Sequence, residues 1–542
     1  MNFLGISSLG HSSAVALLNE QGFVFAIEEE KLNRLHDSSN VPKLALDRCL
    51  LENHLKLSDC RAVGLADRSL AAKSSRSRKK RSPHSADHER LLQLLRGGPR
   101  LSRFDHHLCH AASAYYASGF DRSLILTLDE GTGSQSGLLV LGDGDELEPL
   151  HSFKFPDSIA WFYTRVTEIV GLRPHRDEHK IQWLSKDGEP EYLPAFRKMF
   201  GWKSSGVPAL NRRYYDSGPD HRGVFAPQFY RELGLPSRGN VLTPAIRANI
   251  ARSLQDFVEE LVLQLTANFR QSTGAQSLCL AGGLFLNVFL VRALEARGAF
   301  EHVYVQPVSG NAGTALGAAY LSRKKVTGHS GRTPLSTLAL GMRADSQEIK
   351  TVLDNCKIVY RYLSGEDETI SETVGLLLRD KIVAWCQGRS EFGHRALGYR
   401  SLLASPFSEY IIENVNQYIK HREEFHPFAL SVPAEFAADY FVASPNCRFM
   451  ASLATLKNPV AGLERFAFHG NSVRVHTVDK QSNPLFWRLL TKFGESAPAP
   501  ILVNTSFNLF GEPLVTDPRG AVRSFYCAGI DALALGSFLL VK

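Results

Sequence analysis

Three short apolar runs open the chain, residues 3–6, 14–18 and 23–27, with turn formers between them, including Asn19 to Gly22. Apolar runs bounded by turn residues predict strands, so the opening reads as a β-meander. After the acidic run 28–30, a helix is expected over roughly 42–51. The small residues following His106 and His110 predict another helix, and 123–128 predicts a short strand, with Asp129 at its end before Gly131 and Gly133 turn the chain. Between about 150 and 240 periodicity is lost, although Trp161, Phe162, Tyr163, Trp183, Trp202, Tyr214 and Tyr215 lie there among many charges. Such a segment is an excursion that shapes a pocket or a poorly periodic helical subdomain. From Pro244, Ile250, Leu254, Phe257, Val258, Leu261, Val262, Leu265 and Phe269 recur at helical spacing, and Gly274 supplies the stop.

Two strand–glycine–helix units come next. Residues 277–281 run into Gly282 and Gly283 and a helix containing Asn287; residues 303–307 run into SGNAGTALGAA, with Gly310, Gly313 and Gly317. Glycines between strand and helix let backbone amides and the helix N-terminus approach a phosphate, so Gly282, Gly283, Asn287 and Gly313 are nucleotide-binding candidates. No GKS or GKT follows them, which excludes a P-loop. Two such units after a meander predict an α/β nucleotide fold. A polar stretch over 323–337 reads as a linker, with strands near 359–363 and 382–385 opening a second domain. A helix beyond would place Ile411, Ile412, Val415, Tyr418 and Ile419 on one face.

Candidate chemistry gathers at three places. His106 and His110 are four apart, so both imidazoles project from one helical face toward Asp129 and would make a three-ligand metal site with open positions. A capped helix with surface histidines is the alternative, and His107, on another face, is a bystander. In the second half Arg389, Arg395, Arg400, Lys420 and Arg422 crowd around GRSEFGHRALGYRS. Helix-dipole and surface pairing would explain some of them, but guanidinium forks together with an ammonium match a polyanion such as a triphosphate. A strand at 501–503 then delivers Asn504, Thr505, Ser506 and Asn508 into a Gly-Pro turn.

Composition narrows the class. A length of 542 residues suggests about two to four domains, and 44% hydrophobic with 22% charged residues is an ordinary folded composition. The net charge of +7 owes part of its size to the basic run 73–81, a solvated loop with no aromatic residues to stack on bases. Eight cysteines without a CxxC pair read as reduced thiols. With no leader and no apolar run of membrane-spanning length, the cytoplasm is the expected location and neither nucleic acid nor membrane is an expected partner.

The motifs HSSAVAL, HHLCHAASAYY, AGGLFLN, NAGTALGAA, EFGHRALGYRS, NQYIKHREEFHPFA and VNTSFN…GEP occur in this order along nearly the whole chain. Together they resemble the O-carbamoyltransferases of the nodulation-factor and antibiotic-tailoring type. The resemblance implies an ASKHA-type, actin-like duplicated domain over 1–335 and a YrdC-like α/β domain over 336–542. It implies that carbamoyl phosphate and ATP give carbamoyl-adenylate in the second, and that a hydroxyl of a small natural product or glycan takes the carbamoyl group in the first. Carbamoyl phosphate and ATP bring about six negative charges to one pocket, which the cation cluster suits. By the same resemblance, His11 is the base, His106, His110, Asp129 and Asn311 hold ferrous iron, and Arg395, Lys420, His426, Asn504 and Ser506 form the donor site. A homodimer is the assembly it suggests.

Departures from the pattern are equally specific. Asn311 stands where the family has an aspartate ligand, which predicts weaker metal binding or another metal. His426 replaces an arginine, predicting pH-sensitive donor binding. His394 replaces a proline, Ser12 an aspartate, and a family glycine–lysine segment survives as EHKIQWLS with Lys180 kept. The competing readings are a tRNA-modifying enzyme of the threonylcarbamoyl kind and a non-catalytic nucleotide-binding protein.

Overall fold

The structure is a computed structural model that describes residues 1–542 except 9–11, 39–40, 69–84, 133–134, 219–222, 237–241, 424, 458–459 and 461. The basic run 73–81 lies outside the described residues. The opening meander forms as expected: strands Asn2–Ser7, Ala14–Asn19 and Gly22–Glu28 pair antiparallel, with Ile6 opposite Val15 and Val15 opposite Ile27. Strands Cys60–Asp67 and Leu101–Asp105 join in parallel on the far side of the first strand. The spatial order is third, second, first, fourth, fifth.

The same order is built a second time. Strands Arg122–Thr132, Gln135–Asp143 and Glu146–Lys154 form a meander, and Ser277–Ala281 and His302–Val305 add in parallel beside its first strand. The N-terminal half is therefore a duplicated α/β fold, as expected. Helices His106–Ser118 and Thr314–Thr327 fill the space between the two sheets, their Ala111, Ala114, Ala318 and Ala319 sharing one buried cluster with Phe3 and Leu18 of one sheet and Ile125 and Val140 of the other. Small residues are required because the helices touch: a Cβ on Gly317 would lie 1.8 Å from the Cys109 carbonyl oxygen.

The aperiodic segment occupies the connection between the second meander and its parallel pair. It is a subdomain of short helices, Ile159–Ile169, Glu178–Leu184, Leu193–Met199 and Pro227–Glu232, with two small ribbons, sharing one core with the long helix Pro244–Thr273. Aromatic rings replace periodic aliphatic faces: Phe162 packs edge-on against Phe196, Phe200, Phe225 and Phe257, and Phe225 stacks on Phe229 at 3.7 Å. The long helix starts on a Thr243 cap that accepts from the Ile246 amide and ends at Gly274, whose φ of 65° is the left-handed value a glycine stop permits.

Four expectations need correction. The stretch 323–337 is no free linker: helix Thr314–Thr327 runs into it, and beyond the helix the Thr333 and Leu335 amides donate to the Tyr116 and Ala117 carbonyls. Arg323 and Arg332 also tie it down, donating to the Asn19 and Phe120 carbonyls. In the second half the helix expected after Tyr410 is a short α-turn, Ile411–Glu413, running into a π-helix, Asn414–Ile419, and the Lys420 amide reaches back five residues to Val415. Ile411, Val415 and Ile419 are buried, but the wider π-turn swings Tyr418 out to 62% exposure.

That half is built on one ten-stranded mixed sheet, at whose centre Val383–Cys386, Arg400–Ala404, Leu502–Ser506 and Ala429–Pro433 lie side by side. The strand expected at 359–363 is reduced to an edge pair, Arg361–Tyr362. The strand expected at 501–503 is longer, so Asn504 and Ser506 lie within the sheet, Asn504 opposite Leu403 and Ala429. Among the described residues no helix is long and apolar enough to cross a membrane.

Candidate functional site

Asp105 caps helix His106–Ser118, its carboxylate accepting from the Leu108 amide at 3.0 Å. The cap sets His106 at the first helical position and His110 one turn later, both facing Asp129 on strand Arg122–Thr132. Their Nε2 atoms stand 3.4 and 3.5 Å from Asp129 Oδ2, and one ligand atom from each of the three residues lies within 4.8 Å of the others. Both His110 ring nitrogens are buried without a hydrogen bond, so the cluster is a donor set in need of a cation. Two imidazoles and a carboxylate suit a divalent transition metal. His107 instead meets the Thr127 hydroxyl at 3.1 Å, as a bystander, and burial pushes the Cys109 thiol far up, leaving it unreactive.

The Asn311 side-chain oxygen, foreseen as a fourth ligand atom, accepts a hydrogen bond from the Arg68 guanidinium. His106, His110 and Asp129 are the three donors that stand together. Burial, and then the Arg68 charge, push the His106 pKa well below the ordinary imidazole value. Burial works to raise that of Asp129, but the His106 contact, the adjacent His110 ring and the Arg68 charge outweigh it and hold the carboxyl well below its usual range. His11 lies outside the described residues; Ser12 beside it, at a φ of 61°, lines the main cavity.

That cavity, about 460 Å³, runs from Asp129, Glu130, Gly283, Asn287 and Asn311 in the first half to Arg395, Arg422, His426, Asn504 and Ser506 in the second. Of the glycine candidates, Gly282 and Gly313 are spacers outside its lining: a Cβ on them would lie 2.2 Å from the Leu128 oxygen and 1.9 Å from the Val308 oxygen. Asn287 caps helix Val288–Arg297 through Leu290 and donates to Gln255 at 2.7 Å.

The loop carrying Arg395 is preorganised from both halves. Glu391, fully buried, accepts from the Leu397, Tyr399 and Arg400 amides at 2.8, 3.1 and 3.1 Å. Lys31, also buried, donates to the Glu391 and Gly393 carbonyls at 2.6 and 2.7 Å and pairs with Glu28, which in turn accepts from the Gly393 amide. Arg395 is thereby presented to the cavity, and burial depresses its pKa to about 10, as expected for a desolvated cation awaiting a counter-charge. The other loop arginines do not join it. Arg389 donates to the Gly341 carbonyl, and Arg400, 2% exposed, to the Gln387 and Gly388 carbonyls, so both are structural.

Lys420 stands behind the cavity wall rather than in it. Its ammonium holds Asn508 Oδ1 at 2.6 Å and the Ser506 carbonyl, positioning the two residues that do line the cavity. Burial pushes its pKa well down. Arg422 lies over the Phe428 ring at 4.7 Å and donates to Asn416 Oδ1 at 2.6 Å. His426 faces His179 at 5.9 Å between ring centroids, and burial together with Arg422, His179 and Arg395 keeps its pKa well below the usual value. Burial and these neighbouring cations favour its neutral form in the free protein.

The aperiodic segment helps to shape the pocket, as one of its two readings had it, but which of its residues face the cavity was not legible. Tyr163, Arg176, His179, Gln182 and Trp183 line the cavity, and Lys180 pairs with Glu423 at 2.7 Å across the halves. The retained Lys180 was the one available signal. Also unforeseen is a second group, Glu30, His36 and Asp37, in which hydrogen bonds to Asp37 and Glu30 raise the His36 pKa to about 10.

The carbamoyltransferase N-terminus family matches residues 86–320 and the carbamoyltransferase C-terminus family residues 374–542. An uncharacterised Synechocystis protein is 31% identical over 100% of this chain and 97% of its own length. Nodulation protein NolNO of Sinorhizobium fredii is 31% identical over 98% of this chain and 79% of its own, and nodulation protein NolO of Bradyrhizobium diazoefficiens 30% identical over 81% and 79%. On these matches the chain belongs to the carbamoyltransferase family and is a carbamoyltransferase.

Proposed function

We propose that the enzyme is an ATP-dependent O-carbamoyltransferase working in two stages, with residues 336–542 making carbamoyl-adenylate and residues 1–335 passing the carbamoyl group to a small-molecule hydroxyl. The observation that carries this reading is the single cavity shared by the Asp129 and Arg395 clusters. An activated carbamoyl group hydrolyses if released, so a common chamber serves a two-stage transfer.

In the first stage Arg395 and Arg422 take the phosphates, while Ser506 and Asn508, held by Lys420, orient the donor. Water first releases inorganic phosphate from carbamoyl phosphate, and an oxygen of the carbamate left behind bonds to the α-phosphorus of ATP as pyrophosphate leaves. In the second stage the acceptor oxygen bonds to the carbamoyl carbon, the carbon–oxygen bond to AMP breaks, and His11, by the resemblance, accepts the hydroxyl proton. A divalent cation, ferrous iron by the same resemblance, held by His106, His110 and Asp129, supplies Lewis-acid polarisation when bound. Asp129 also orients both imidazoles.

The test is pyrophosphate release from ATP by the purified protein with carbamoyl phosphate and no acceptor, with and without ferrous iron. Release that depends on carbamoyl phosphate and is lost in Arg395→Ala supports the reading. No release under either condition overturns it.

A further inference from the structure

Asn504 is 1% exposed and belongs to the cavity lining, in the middle of the ten-stranded sheet. Its amide nitrogen donates to the Ala396 carbonyl at 3.0 Å and to the Ser431 hydroxyl at 3.0 Å. A carbonyl oxygen only accepts, so the Ala396 contact fixes which end of the amide is nitrogen. Ser431 is set in turn by His476, whose Nδ1 lies 3.1 Å from the hydroxyl. Burial depresses the His476 pKa to about 3, so this imidazole is neutral and its Nδ1 can accept the Ser431 proton. The chain of bonds uses both Asn504 donors and leaves Oδ1 buried with no partner among the described residues. Native proteins leave few buried acceptors unmet, and one fixed in orientation beside a ligand cavity is a recognition group.

We propose that Asn504 Oδ1 accepts a hydrogen bond from the amino group of the carbamoyl donor, and that Asn504, oriented by Ser431 and His476, is the residue that selects a carbamoyl group over an acyl group of the same shape. Carbamoyl and acetyl phosphate differ by NH₂ against CH₃ on the same carbon. The rest of the site, Arg395 and Ser506, reads what they share. An orphan acceptor distinguishes them because a methyl group leaves it unpaired, and sites built around such a bond reject the analogue lacking it by large factors. The inference rests on the donor reading above and adds to it the chemical feature that is read.

The experiment compares carbamoyl phosphate with acetyl phosphate as donors for pyrophosphate release by wild type, Asn504→Ala and Ser431→Ala, with folding checked by circular dichroism. Wild type is expected to prefer carbamoyl phosphate by roughly 10³-fold or more in kcat/KM. Asn504→Ala is expected to lose most of that preference by weakening the carbamoyl reaction while leaving the acetyl reaction within a few-fold. Ser431→Ala, which frees the amide to turn, is expected to lose part of it. Equal losses with both donors, or an unchanged preference, would assign Asn504 a structural role and overturn the proposal. A wild type without preference overturns it as well, whereas a wild type inactive with carbamoyl phosphate overturns the donor reading itself. If Asn504→Ala does not fold, the donor ratio in Ser431→Ala decides between the outcomes.

Discussion

The Arg68 guanidinium donates to the side-chain oxygen of Asn311 at the edge of the His106–His110–Asp129 cluster. By the family resemblance a neutral amide stands where a fourth ligand would be, and a fixed cation faces its oxygen. Both changes disfavour a divalent ion, the first by removing a charge and the second by adding a repulsive one. Replacing Arg68 by Met, or Asn311 by Asp, is therefore expected to tighten metal binding by roughly tenfold. Titration calorimetry with Co²⁺ checks this without reference to activity, and the idea fails if neither variant binds more tightly.

Lys420 and Arg389 sit in the same cation-rich region and have opposite roles. Lys420 holds Ser506 and Asn508, so Lys420→Met is expected to lower kcat/KM for the donor by about 10²-fold through misplaced groups. Arg389 donates only to the backbone carbonyls of Leu340 and Gly341, so Arg389→Gln is expected to lower the melting temperature and leave donor kinetics near wild type. Steady-state assays beside thermal melts separate the two.

A buried neutral histidine makes stability depend on pH. Burial lowers the His476 pKa to about 3. The unfolded chain takes up this proton near pH 6.5, so the contribution is complete above that value and declines as pH falls toward the folded value. The group costs up to about 1.4 kcal/mol per pH unit in that window. Urea unfolding at pH 7 and pH 5 is expected to show a marked loss in the wild type and a smaller one in His476→Gln, whose neutral side chain can still meet Ser431.

At the crossing of the two central helices, Gly317 has no room for a methyl group, since the Cys109 carbonyl oxygen would lie 1.8 Å away. Gly317→Ala is expected to destabilise by about 1–3 kcal/mol despite alanine's better helix propensity. The chemical denaturation midpoint measures it; a stabilised variant would show that the helices can part.

The π-turn at Asn414–Ile419 shows how far pattern reading carries. The apolar spacing located the segment and three of its buried positions, but an α-helical period put Tyr418 on the wrong face, because a five-residue backbone bond is not encoded in hydrophobic spacing. The aperiodic segment was opaque for a related reason: its core is an aromatic cluster assembled from residues far apart in the chain, with no local repeat. His179 and Trp183, which it delivers to the cavity, were invisible with it.

What the sequence by itself determined is local: the meander runs, the helix that sets His106 and His110 one turn apart, the glycine stop at Gly274, and the ordered motifs that carry the family resemblance. Turn chemistry and side-chain periodicity act over a few residues and need no partner. What only the tertiary structure decided is which of several equivalent groups faces the cavity. Arg395 is presented while Arg400, in the same loop, is spent on carbonyls, because Glu391 and Lys31 fold that loop from two directions. Asn504 keeps one free acceptor because Ala396 and Ser431, from separate strands and loops, consume its donors. Burial and hydrogen-bond competition are properties of the whole fold, and they turn a list of polar residues into a site.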